Sequence, residues 1–118
     1  MADIEGLWTA EGESVDAWPT SGVMICIRNH VFGGGNRYYF TGQYRFQGGR
    51  VEIEAHAYHY HGATRSALGR GAPDFIVHYR GRFLAGAGLI EGEAYRAENP
   101  NLRLPVQFVR RATLPSGP

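Results

Sequence analysis

His56, His59 and His61, interleaved with Tyr58 and Tyr60, are the densest group of side chains able to do chemistry in this chain. Imidazole is the commonest metal ligand among side chains. In an extended segment His59 and His61 share a face, whereas His56 points to the other. Two ligands then converge where a site needs three or four, unless His30 or His78 joins them. No metal site and no cofactor are expected, and a polar strand end near a barrel rim is the favoured reading. The carboxylates Glu52 and Glu54, with Glu91 and Glu93, raise the idea of a glycosidase pair. Each pair alternates with apolar residues, so a solvated exterior is the better account. Cys26 is the one thiol. It shares a face with Met24 and Arg28, opposite Val23, Ile25 and Ile27, and no nucleophile motif surrounds it. A packed or interface thiol is expected. Gly33-Gly34-Gly35 resembles an anion-binding nest, but no helix follows it, so a hairpin turn is expected. No catalytic constellation emerges, and the chain is read as a non-enzyme.

The remaining candidates are aromatic. Tyr38, Phe40, Tyr44, Phe75, Tyr79 and Phe83 fall on shared faces, with the small residues Gly42, Ala55, Ala57, Gly81, Gly92 and Ala94 among them. Two readings stay open: an apolar ligand cavity lined by Tyr38, Phe40, Tyr44, Ala55, Phe75, Tyr79 and Phe83, or a core packed solid. Small barrels are found in both forms.

Alternation identifies the elements that must position these groups. Tyr38, Phe40, Gly42, Tyr44 and Phe46 alternate with Tyr39, Thr41, Gln43 and Arg45. Val51, Ile53, Ala55 and Ala57 alternate with Glu52, Glu54, His56 and Tyr58. Gly48-Gly49 joins the two runs into a hairpin. The same logic predicts strands near 6–11, 22–29, 75–83, 89–96 and 102–112. Turns are predicted at Gly33–Asn36, Gly86–Gly88 and Asn99–Asn101, with a loop over His61–Asp74 and a frayed tail from Thr113 to Pro118. Pro105 marks a bulge or interrupted pairing. The only helix candidate is Ala63–Leu68. Seven or eight strands with short turns predict an all-β, closed antiparallel up-and-down barrel, since closure removes exposed edges. The interior is expected to hold Val23, Ile25, Phe40, Tyr44, Val51, Ile53, Val77, Tyr79, Val106 and Phe108.

Composition agrees. A chain of 118 residues fits one domain, and at this size it buries roughly two thirds of its unfolded surface without a disulfide or metal. One cysteine excludes an intramolecular disulfide and points to the cytoplasm. No secretory leader or membrane-length apolar run is read. A net charge of +1 with no basic block argues against nucleic acid as a partner. All twelve basic residues are arginine, which reads as GC-rich, bacterial coding.

Gly6-Leu7-Trp8 on the first strand resembles the Gly-x-Trp signature of the lipocalin group. That resemblance implies that Trp8 plugs one barrel end, with Arg110 or Arg111 packed across it. A closer resemblance covers nearly the whole chain. Glu5-Gly6-Leu7-Trp8, Gly22-Val23-Met24-Ile25, Val31-Phe32-Gly33-Gly34, Tyr38-Tyr39-Phe40-Thr41-Gly42-Gln43-Tyr44, and Phe75-Ile76-Val77 with Gly81 resemble, in order and spacing, the GrlR-like family. These are small lipocalin-like proteins named after negative regulators of a type III secretion locus. The resemblance implies a homodimeric barrel with an apolar cavity, acting by contact with a regulatory protein partner. Where the characterised regulator carries an acidic run, this chain reads Phe46-Gln47-Gly48-Gly49-Arg50, without an acid. A regulator or adaptor is therefore expected first, and a carrier or sensor of a small apolar ligand second. The dimer interface is expected at Met24 and Cys26, outward on the second strand, with Ile76 and Leu84 outward on the fifth.

Overall fold

A computed structural model describes residues 3–12, 21–62, 65–66, 69–70 and 74–113. Its strands are β1 (Gly6–Glu11), β2 (Ser21–Ile27), β3 (His30–Gly34), β4 (Tyr38–Gln47), β5 (Arg50–His59), the short β6 (Arg65–Ser66) and β7 (Gly69–Arg70), β8 (Asp74–Leu84), β9 (Leu89–Arg96) and β10 (Asn99–Ala112). Eight of them close an antiparallel barrel in the order β1-β10-β9-β8-β5-β4-β3-β2, while β6 and β7 pair only with each other. Every barrel strand but β1 and β10 lies beside its neighbours in barrel sequence, and those two zip the ends together, Trp8 opposite Arg110 and Ala10 opposite Phe108. The all-β, closed up-and-down barrel expected from alternation is the architecture found. No described helix is long and apolar enough to cross a membrane.

The β4–β5 hairpin turns at Gly48-Gly49, both with positive φ (60° and 82°), the backbone that matches strand twist. A 3-10 turn over Ala85–Ala87, ended by left-handed Gly88, joins β8 to β9. Three turns differ from expectation. Gly33 and Gly34 are not a turn; they lie in β3, opposite Phe40 and Tyr39. The strand predicted over 22–29 instead stops at Ile27 and reverses through Arg28 and Asn29, at φ 49° and 68°. No glycine marks that reversal, so it and β3 went unread. Asn99 and Pro100 open β10, and the turn falls at Ala97-Glu98. The β9–β10 register shifts between Asn99 and Leu104, leaving Pro105 in regular register opposite Glu93. Within the helix candidate Ala63–Leu68, Arg65–Ser66 is strand; its other residues, like the tail beyond Thr113, lie outside the described residues.

The interior holds Phe40, Tyr44, Val51, Ile53, Val77, Tyr79, Val106 and Phe108, as expected, with Ile4, Trp8, Val31 and Ile90. The face of β2 is inverted. Met24 and Cys26 are buried in the core, while Val23 is 43% exposed and Ile25 half-buried. Both faces of β2 are apolar, so its own pattern is mute about direction. Pairing decides it: opposed residues share a face, and Met24 lies opposite the inward Trp8, Cys26 opposite the inward Val31.

Candidate functional site

The barrel has two ends, and an inward-facing arginine closes each. At the end where β1 begins and β10 finishes, Trp8 is fully buried and donates its indole N–H to the Ile4 carbonyl at 2.9 Å. The Arg110 guanidinium carbon sits 4.7 Å from the Trp8 ring centroid and 5.4 Å from that of Phe83. Arg110 Nη2 donates to the Asp3 carbonyl at 2.6 Å. The plug geometry thus joins Trp8 and Arg110 through direct cross-strand pairing. Arg111 points outward, donating from Nε to Thr9 Oγ1 at 2.8 Å.

At the opposite end, where β4 and β8 begin and β9 finishes, Tyr38 and Phe75 are buried with ring centroids 5.4 Å apart. The Arg96 guanidinium carbon lies 4.0 Å from the Phe75 centroid. Arg96 lies opposite the inward Val77, and its side chain is 11% exposed. Its charge hides it in the sequence, because a charged residue on a strand is ordinarily read as outward. The signal was its parity with Ile90 and Ala94.

Between these ends the seven expected cavity residues, Tyr38, Phe40, Tyr44, Ala55, Phe75, Tyr79 and Phe83, all face inward and are buried. They do not form one chamber. Among the described residues, an internal void of about 30 Å³ is bordered by Phe40, Ala55 and Tyr79 of that set. That holds roughly one or two waters; a typical ligand pocket is on the order of 300–1,000 Å³. Tyr38 and Phe75 sit at the Arg96 end, and Phe83 packs edge-on against Trp8 at the other. The small residues do not open space either. A Cβ on Gly92 would collide with the Arg80 carbonyl, and one on Gly42 with Ala55 Cα at 2.6 Å. These glycines let neighbouring strands approach and curve. The Tyr79 hydroxyl, 2.8 Å from the Val106 carbonyl it donates to, is pushed well above its ordinary range, chiefly by burial.

The other candidates separate in space. Cys26 is buried, and its thiol is pushed up to about 12, first by desolvation and then by the nearby Asp3 charge. Such a thiol is a poor nucleophile at neutral pH. His56 stacks on Tyr58, centroids 4.3 Å apart, and lies 3.8 Å from Asp74. His59 contacts the Gly62 carbonyl at 2.6 Å, and His78 lies 3.9 Å from Glu54. Among the described residues, no three His, Cys, Asp or Glu side chains group within reach of one metal ion. Glu52 lies between Arg45 and Arg80, 3.9 Å from each, and Glu93 is 3.9 Å from Arg103.

These ion pairs occupy the outer face of β4, β5, β8, β9 and β10. The outer face of β1–β3 carries one such pair, Glu11 of β1 with Arg111 at 3.5 Å, and is otherwise of another kind. Leu7, Ile25 and Phe32 lie opposite one another across three strands, and Val23 and Ile27 flank them. Val23 and Phe32 are 43% and 41% exposed. Of the expected interface residues, Met24 and Cys26 are excluded from the surface by their burial. Ile76 and Leu84 do face outward, but eight residues apart on one strand, roughly 26 Å, so the four form no single patch. No protein-family model matches the chain, and no curated protein does.

Proposed function

We propose that this protein is a non-enzymatic regulator or adaptor of the cytoplasm that works by protein contact, as the type III secretion negative regulators it resembles do. The observation that carries the reading is the division of the outer wall. One sector is laced with arginine–carboxylate pairs, with Tyr39, Ile76 and Leu102 exposed among them, and on the other, β1–β3, exposed Val23 and Phe32 lie beside half-buried Leu7, Ile25 and Ile27. A contiguous apolar sector on a small soluble domain marks a contact surface. Its first occupant in this reading is a second copy of the chain, because a self-complementary apolar face satisfies the two-fold symmetry that most soluble oligomers adopt. The single, buried thiol suits a reducing compartment.

Sedimentation equilibrium of the purified chain tests this. A dimer is expected at micromolar concentration. Phe32→Glu is expected to give a folded monomer, because a carboxylate at the centre of the sector costs little in a free wall and several kcal/mol in a buried contact. A monomeric wild type, or a Phe32→Glu variant that dimerises as before, overturns the assignment of this face.

A further inference from the structure

At one place on the outer wall, like charges face each other across a strand boundary. Arg50 of β5 lies directly opposite Arg82 of β8, and both are exposed. Like charges so placed destabilise a sheet. Among the described residues, neither arginine closes an ion pair. Gln47 of β4 lies opposite Arg50, and two residues along the same three strands Arg45, Glu52 and Arg80 lie opposite one another. The result is a grid in which four guanidiniums stand around one carboxylate. Glu52 does not use up its neighbours. Arg45 and Arg80 each reach it at 3.9 Å, about 1 Å longer than a charge-assisted hydrogen bond, and their side chains are 81% and 65% exposed. On the border, Glu91 and Glu93 of β9 lie opposite Arg82 and Arg80, and Glu93 is drawn to Arg103 at 3.9 Å. A local rule broken inside the fold without a return inside the fold points to a use outside it.

We infer that this grid on β4, β5 and β8 is a docking surface for an acidic, extended segment of a partner protein. The inference rests on the reading of the chain as a contact protein and names the chemistry of its partner, on a wall separate from β1–β3. Room is present. Two open grooves lie on the grid, one of about 320 Å³ bordered by Arg45, Gln47 and Arg50, the other of about 340 Å³ bordered by Arg45 and Arg80. Strand spacing makes the grid roughly 10 Å across, the reach of about three extended residues. A guanidinium fork takes a carboxylate bidentately, and Glu52 shows the group that these forks accept. A nucleic-acid strand, charged at every unit, would have to pass over the Glu52 carboxylate. An extended peptide places alternate side chains to either side of it.

The test is fluorescence anisotropy of labelled hexaglutamate titrated with the full chain, with backbone amide shifts to locate the contact. Saturable binding is expected, with the shifts centred on Arg50, Glu52, Arg80 and Arg82. Arg50→Gln and Arg82→Gln should each weaken binding about threefold, and the two together about tenfold. Arg111→Gln removes the same charge on β10 and should leave binding unchanged. Urea denaturation of Arg50→Gln should give the wild-type midpoint or a higher one, because the change removes a like-charge pair. No saturable binding, shifts elsewhere, or an equal loss in Arg111→Gln would overturn the inference. So would equal affinity for a six-nucleotide oligothymidylate, which would make the grid a general polyanion contact. A lower urea midpoint in Arg50→Gln would also overturn it, by giving the arginine a place in the stability of the fold. Sedimentation reads the β1–β3 wall and anisotropy reads this one, so the two readings fail separately.

Discussion

At the scale of single residues, burial outweighs chemical type. Cys26 and Tyr44 belong to the reactive kinds of side chain, yet desolvation holds the Cys26 thiol and the Tyr44 phenol each up to about 12. The sign of the consequence follows by linkage. Both groups keep their protons in the folded chain at pH values where the unfolded chain, with ordinary values of 9.0 and 10.0, has released them. The unfolded state then binds fewer protons, so stability is full below pH 9 and declines as pH rises from there toward 12. For the buried Cys26 thiol the slope approaches about 1.4 kcal/mol per pH unit within that window, and Tyr44 adds to the decline above pH 10. Urea denaturation at pH 8, 9.5 and 10.5 should show the midpoint falling, with Cys26→Ala falling less steeply. Equal slopes would mean that the thiol titrates normally. The end arginines make the complementary point: a charge faces inward where an aromatic ring lies against it, as Phe75 does for Arg96 and Trp8 for Arg110, a contact worth roughly 0.5–2 kcal/mol when desolvated.

At the scale of elements, turns with glycine at the demanding positions were readable, and turns without it were not. Gly48-Gly49 announced the β4–β5 hairpin. The β2–β3 reversal uses Arg28 and Asn29 in left-handed backbone, which asparagine tolerates and arginine does not. That reversal is held from outside its own sequence: the Arg28 backbone N–H donates to the Glu5 carboxylate at 2.8 Å, and the Asn29 carbonyl accepts from the Tyr44 N–H at 2.9 Å. Because the Arg28 contact runs through the main chain, Arg28→Asn should relieve backbone strain without losing it. Thermal unfolding should show the variant more stable by about 0.5–1 kcal/mol; a lower midpoint would show that the arginine side chain stabilises the turn. The inverted face of β2 belongs to this scale too. Val23, Ile25 and Ile27 are as apolar as Met24 and Cys26, so alternation within the strand carried no direction.

At the scale of the whole molecule, closure converts local pairings into an inside and an outside. Met24 and Phe32 show what that difference does to one substitution. Met24→Glu places an unpaired carboxylate among Trp8, Val31 and Phe40 in the core, and should cost roughly 3–5 kcal/mol of folding stability. Phe32→Glu acts on the wall and should leave the fold intact. Urea midpoints of the two variants should therefore separate widely. Similar midpoints would return Met24 to the surface and reverse the assignment of inside and outside on β2. The barrel's narrow interior is also a property of the whole. Tyr38, Phe40, Tyr44, Tyr79 and Phe83 were readable as inward, but whether they surround a chamber or fill it depends on how closely the strands approach. The collisions awaiting a side chain at Gly42 and Gly92 show that they approach to backbone contact.

By itself, then, the sequence determined the all-β class, the antiparallel meander, the β4–β5 hairpin and the inward row of aromatics, and its resemblance to the lipocalin group implied the contact of Trp8 with Arg110 or Arg111. Each of these is written in period-two alternation, in glycine turns, or in a short motif on a known strand. Only the tertiary structure decided which face of β2 is inside, that β3 exists as a separate strand, that the interior is nearly filled, and that Arg96 faces inward. The physical reason is common to all four. Each depends on what lies across a strand boundary: Trp8 opposite Met24, Tyr44 beside Asn29, Arg80 against Gly92, Phe75 beneath Arg96. Such neighbours are distant along the chain and become adjacent only when the barrel closes.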